Sequence, residues 1–238
     1  MTELHYLLWA YFLLFPLYVY LTINKDKQAV ANNPNNRVKL YQSTMLHLWL
    51  PTLLVGAIIY SGPITLADIG LKFSPSLLGL SVLTISIIVC AYLLYSLKAV
   101  KTFDHKQIEQ TKAQLNHVKW FMPHNKQQTK WMVYGVSPTA GICEEILFRG
   151  FLLFQLSLYM NEIYAVIISS IAFGLGHIYQ GWQHVIRTGI VGAIFAGIYI
   201  VSDSLLAPIL LHTIMDAYGG QLAYLVNKPQ QESKLAQT

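Results

Sequence analysis

Residues 76–97 run for the thickness of a bilayer without one charged side chain. At 1.5 Å per residue such a helix reaches ~33 Å, against ~30 Å for the hydrocarbon core. Similar apolar runs recur at about 4–23, 43–61, 131–160, 163–179, 184–201 and 204–226. Composition agrees: 54% of residues are hydrophobic and 11% charged, where a soluble domain carries about 25% charged residues. The expected fold is all-α, a polytopic transmembrane bundle of about seven spans. Fifteen Tyr and five Trp suit it, because amphipathic rings favour the membrane interface. The first run is too long for a signal-peptide core and lacks a cleavage site, so it is read as a retained span.

A net charge of +5 in a soluble chain would point to nucleic acid. Here the cations cluster in two loops, at 24–42 and 98–130, as the positive-inside rule requires of cytoplasmic segments, and no nucleic-acid partner is implied. The first loop holds the turn sequence Asn32-Asn33-Pro34-Asn35-Asn36. The second interleaves seven lysines with Val118, Trp120 and Phe121, a pattern expected of a basic amphipathic cytoplasmic helix at an anionic leaflet. The N-terminus is then outside and the C-terminus inside. Three regions follow: 1–130 with three spans and the basic loops, a four-helix core over 131–226, and a polar tail over 227–238.

Against this apolar background, Glu144, Glu145 and Arg149 are costly, at about 2.5–3.5 kcal/mol per charge on insertion scales. Such groups persist where they face a protein interior or a wet cavity. On a helix Glu145 and Arg149 share a face and pair, while Glu144 points about 100° away and stays free. Phe173 and His177 share a face on the next span, where Gly174 and Gly176 permit close helix approach. His212 and Asp216 share a face on the last span. Taken singly, each has a structural explanation: an intrahelical ion pair, an interface histidine, a self-satisfied His–Asp pair. Asp203, between Ser202 and Ser204, reads as a turn and cap. Cys90 and Cys143 lie in apolar segments and offer no zinc pattern or disulfide framework; Cys143 beside Glu144 reads as packing.

Taken together, three spans bring a glutamate, two histidines and an aspartate into one bundle. A glutamate can take a proton from water, a histidine can orient that water, and a second histidine with a carboxyl group can stabilise an oxyanion. A glutamate and two histidines are equally a zinc ligand set with an open position for water. The two-histidine zinc helix motif HExxH is absent.

The ordered motifs Glu144-Glu145…Arg149, Phe173…His177 and His212…Asp216 resemble the signature of the CPBP (CAAX-processing and bacteriocin-processing, or Abi) intramembrane proteases. The match covers roughly 131–220. The resemblance implies an endopeptidase in which Glu144 and His177 activate water, His212 and Asp216 polarise the scissile carbonyl, and Glu145, Arg149 and Phe173 support the site. It leaves both a metal-independent glutamate mechanism and a zinc site on Glu144, His177 and His212 open. Asn is common in the family where this chain has Asp216, which leaves the role of that residue open. The implied partners are the bilayer and a membrane-associated peptide or protein substrate, in a multi-pass protein of the bacterial cytoplasmic membrane. Two other functions fit buried ionisable groups: a proton-coupled transporter, for which no inverted repeat is visible, and a non-catalytic bacteriocin-immunity factor. One difficulty is geometric. If span four begins near Pro138, Glu144 and His177 lie shallow and His212 is expected about 8–10 Å deeper.

Overall fold

The computed structural model describes residues 3–62 and 64–235, the last seven by backbone alone. Eight helices make up the described architecture. Helix α1 (Glu3–Asn32) and α2 (Asn36–Ser61) form an antiparallel hairpin. Its turn is fastened by Asn36 Nδ2 donating to the Ala29 carbonyl at 2.8 Å. Helix α3 (Leu77–Ser96) starts where the Ser76 hydroxyl accepts from the Gly79 amide, and runs into a 3₁₀ turn at Leu97–Thr102. Helix α4 (His105–Leu115) is followed by α5 over 126–157, α6 (Glu162–Gly176), α7 (Trp182–Ser202) and α8 (Leu206–Leu235).

The helices turn apolar side chains outward. Leu13, Ile88 and Ile163 are 75%, 62% and 68% exposed, which is unfavourable in water and suits a lipid-facing wall. Four segments have the length and apolarity of a span: Glu3–Asn32, Asn36–Ser61, Leu77–Thr102 and Trp182–Ser202. The other three expected spans are α5, α6 and α8. Helix α6 has fifteen residues, or ~22 Å, and α5 and α8 carry the ionisable residues. A helical membrane bundle is therefore established, and its crossings are not all of one kind.

The basic loop is not one helix. Its α-helical parts are the start of α5 from Lys126 and His105–Leu115, the latter opened by a capping box in which Asp104 accepts from the Gln107 amide at 2.7 Å while Gln107 accepts from the Asp104 amide at 2.9 Å. Trp120 and Phe121, expected to face lipid, belong to a segment docked on α2. Arg37 Nε donates to the Trp120 carbonyl at 2.9 Å and Tyr41 Oη to the Phe121 carbonyl at 2.6 Å. These buried donors need acceptors, and the loop backbone supplies them.

Pro138, expected from sequence to start or kink a helix, lies inside α5, directly after a change of helical pitch. Helix α5 passes through it because the residues just before, Met132–Val136, form a π turn. Widening the turn accommodates a residue that has no N–H to give and whose ring crowds the preceding carbonyl. A second π segment, Glu145–Leu152, begins at the second glutamate.

Candidate active site

Two close helix approaches assemble the polar groups. A Cβ on Gly141 would overlap the Thr213 hydroxyl and stand 2.8 Å from the Thr213 amide nitrogen, so only glycine lets α8 come this near to α5. That approach sets His212 opposite the two glutamates. Likewise a Cβ on Gly174 would lie 2.5 Å from the Val185 carbonyl, so α6 and α7 meet closely and fix the end of α6, where His177 sits.

Glu145 and Arg149 are 0% and 1% exposed and pair as the spacing predicts, Arg149 Nη1 donating to Glu145 Oε1 at 2.9 Å. The guanidinium is held further: its carbon stands 4.0 Å from the centre of the Phe173 ring, and Nη2 donates to the Gly192 carbonyl at 3.3 Å. Sequence reading missed the second partner of Glu145. His212 Nδ1 donates to the same Oε1 at 2.8 Å, so Glu145 orients a histidine as well as balancing an arginine. The one hint was stoichiometric, two adjacent carboxylates for a single arginine at membrane depth.

His212 and Asp216 meet as i,i+4 spacing suggested, but loosely: Nε2 is 3.7 Å from Asp216 Oδ2, an ion-pair distance beyond hydrogen-bond range, and the Asp216 side chain is 43% exposed. The expected depth offset is also absent. His212 Nε2 and His177 Nε2 lie 3.7 and 3.8 Å from Glu144 Oε2. The expectation failed because α5 starts at Lys126, several residues before the sequence-based limit, which puts Glu144 well inside the helix.

Both imidazoles have the same connectivity. His177 Nδ1 donates to the Phe173 carbonyl at 2.9 Å, and His212 Nδ1 donates to Glu145. A neutral ring that spends its Nδ1–H this way presents a lone pair at Nε2. The two Nε2 atoms and Glu144 Oε2, itself buried without a hydrogen-bond partner, face one another across gaps of nearly 4 Å. None of the three is held by a hydrogen bond to another. The arrangement suits a guest that brings protons, such as water or a peptide N–H. Such atoms are also metal donors in kind: Glu144, His177 and His212 are the residues that would hold an ion, although among the described residues no three His, Cys, Asp or Glu side chains stand at ligating distances.

Phe173 ties the group together, its ring centre 4.7 Å from that of His177, 5.2 Å from Phe148 and 6.0 Å from His212. Cys143 is fully buried in a small cluster with Leu48 and Ala140. Asp203 caps α7 in the left-handed conformation, φ 51°, and pairs with Lys72 at 2.7 Å.

The fold and site define a polytopic helical membrane protein with a buried glutamate–histidine cluster shared by three helices. Residues 126–218, which include all of that cluster, match the model of the Rce1-like family, described as type II CAAX prenyl endopeptidase, and over that segment the match supports a CAAX-protease (CPBP) family assignment. Comparison with curated proteins and with solved structures finds no match.

Proposed function

We propose that the protein is an intramembrane endopeptidase in which Glu144 and His177 activate water against a peptide bond of a membrane-associated substrate. The observation that carries this reading is the convergence of Glu144 Oε2 and two Nε2 atoms on one gap. Water in that gap gives one proton to Glu144 while its oxygen attacks the scissile carbonyl carbon. His177, backed by a neutral carbonyl, stays an acceptor and orients the water.

His212 suits the opposite role. Glu145 holds one side of the ring and Glu144 and Asp216 flank the other, so this site is electrostatically complementary to an imidazolium. In that form Nε2–H donates to the oxyanion of the tetrahedral intermediate. Collapse breaks the C–N bond, and the proton held on Glu144 passes to the leaving amine. Asp216 acts through His212, by steadying its charge. Glu145, Arg149 and Phe173 are positioning residues, and 131–226 is the catalytic core.

Comparing membrane-proximal cleavage fragments between cells carrying wild-type protein and cells carrying Glu144→Ala tests the reading. A set of new N-termini present only with the wild type is expected. Identical fragment sets at equal expression would contradict it. Metal removal tests the mechanism: chelator-treated protein without detectable zinc should retain full cleavage, whereas loss restored by added zinc would make the Nε2 atoms metal ligands.

A further inference from the structure

A cavity of about 450 Å³, within the range of ligand sites, opens from Glu144 and His177 and runs between α1 and α2. Its α1 lining recurs on one face from Tyr11 to Val30, a run of ~28 Å at 1.5 Å per residue. This volume over that length is a slot, shaped for an extended chain. Both walls lie outside the family-matched segment. Polar groups recur along the slot, at Tyr11, Thr22, Asp26, Asn36, Lys39 and Ser43; Thr22, Asn36 and Ser43 also bond within the α1–α2 hairpin, whereas the Tyr11 hydroxyl has no partner. A hydrocarbon chain has no use for them, whereas a peptide backbone offers a donor or acceptor at each residue.

At the inner end, the Tyr11 hydroxyl is buried without a hydrogen-bond partner in the same cavity as Glu144. Its ring is fixed by stacking on Phe15 at 4.9 Å and by edge contact with Phe12 at 5.6 Å. A rigid ring whose buried O–H meets no partner is a donor waiting for a ligand, since burying an unmet hydroxyl is unfavourable. We infer that the α1–α2 slot is the substrate-binding site, taking one side of the scissile bond as an extended peptide, and that Tyr11 positions it by donating to a substrate backbone carbonyl. This rests on the protease reading. It assigns substrate selection to the two helices that the family match leaves out.

The test uses purified full-length protein in detergent and an internally quenched peptide, drawn from a mixed-sequence set because wild type cleaves it. Tyr11→Phe keeps the ring packing and removes the O–H. Its KM should rise about 3- to 10-fold with kcat within twofold, the pattern of lost uniform binding. Thr22→Trp places a plug partway along the slot. It should slow cleavage of the long peptide at least 10-fold, and peptides shortened on that side should recover wild-type rates. Wild-type constants for Tyr11→Phe, or a plug effect independent of peptide length, would overturn the inference. So would a plug that hinders only peptides bearing an acyl or isoprenyl chain, which would make the slot a hydrocarbon site. Glu144→Ala separates the two claims: if it still cleaves, the protease reading itself fails, and if it is inactive while Tyr11→Phe and Thr22→Trp match wild type, only this inference fails.

Discussion

Glu145 Oε1 accepts from two donors at once, Arg149 Nη1 at 2.9 Å and His212 Nδ1 at 2.8 Å. Glu145→Gln keeps an acceptor there but removes the charge. It should cut kcat about 10- to 100-fold with the fold intact, matching ~1.5–3 kcal/mol for a hydrogen bond to a charged group. Glu145→Ala also strands the buried Arg149 and should destabilise the protein by about 3–5 kcal/mol, read as a lowered unfolding temperature in detergent. The intrahelical half of this arrangement was legible in the sequence, because residues four apart on a helix meet wherever the helix sits. The His212–Glu145 bond was not, because it depends on the separation and rotation of α5 and α8. Asp216 illustrates the same limit: spacing placed it beside His212, and the rotamers leave it 3.7 Å away.

At the scale of elements, one glycine governs the meeting of α5 and α8. Gly141→Ala puts a methyl group against the Thr213 side chain and also against backbone, with Ile209 O 3.0 Å away. Overpacking of this kind costs about 1–3 kcal/mol, and here it pushes His212 away from the glutamates. Activity should fall at least 10-fold, and Thr213→Ala should not restore it, because the backbone contacts remain. Full rescue by Thr213→Ala would show that side-chain crowding alone separates the helices. Seven of the eight described helices were legible from apolar runs, and α4 lies in the loop read as a basic amphipathic helix. The π turns of α5 and its passage through Pro138 were not, since helical pitch is set by local backbone compensation that a hydropathy pattern does not encode. The 98–130 loop misled for a related reason: its aromatics are interleaved with lysines, but they are consumed by docking on α2.

Across the whole molecule, loop contacts sort to two ends. The Pro34 carbonyl accepts from Gln128, Lys27 lies over Trp120, and His117 stacks on His184, its ring centre 3.5 Å away. At the other end Ser204 donates to the Lys72 carbonyl at 2.6 Å and the Leu205 amide to the Gly70 carbonyl at 2.8 Å. Seven crossings would sort the contacts in this way, and the positive-inside rule then predicts the basic end in the cytoplasm. In intact cells a membrane-impermeant maleimide should label Leu66→Cys and spare Lys106→Cys; the reverse pattern would invert the orientation. The central claim is that Glu144 activates water for peptide hydrolysis, and purified protein tests it most directly. Wild type should cleave an internally quenched peptide, and Glu144→Gln, matched in size and equally folded, should be slower by about 10³-fold or more, in line with loss of an acid–base group worth 10²–10⁴. Cleavage by Glu144→Gln at the wild-type rate would contradict the account.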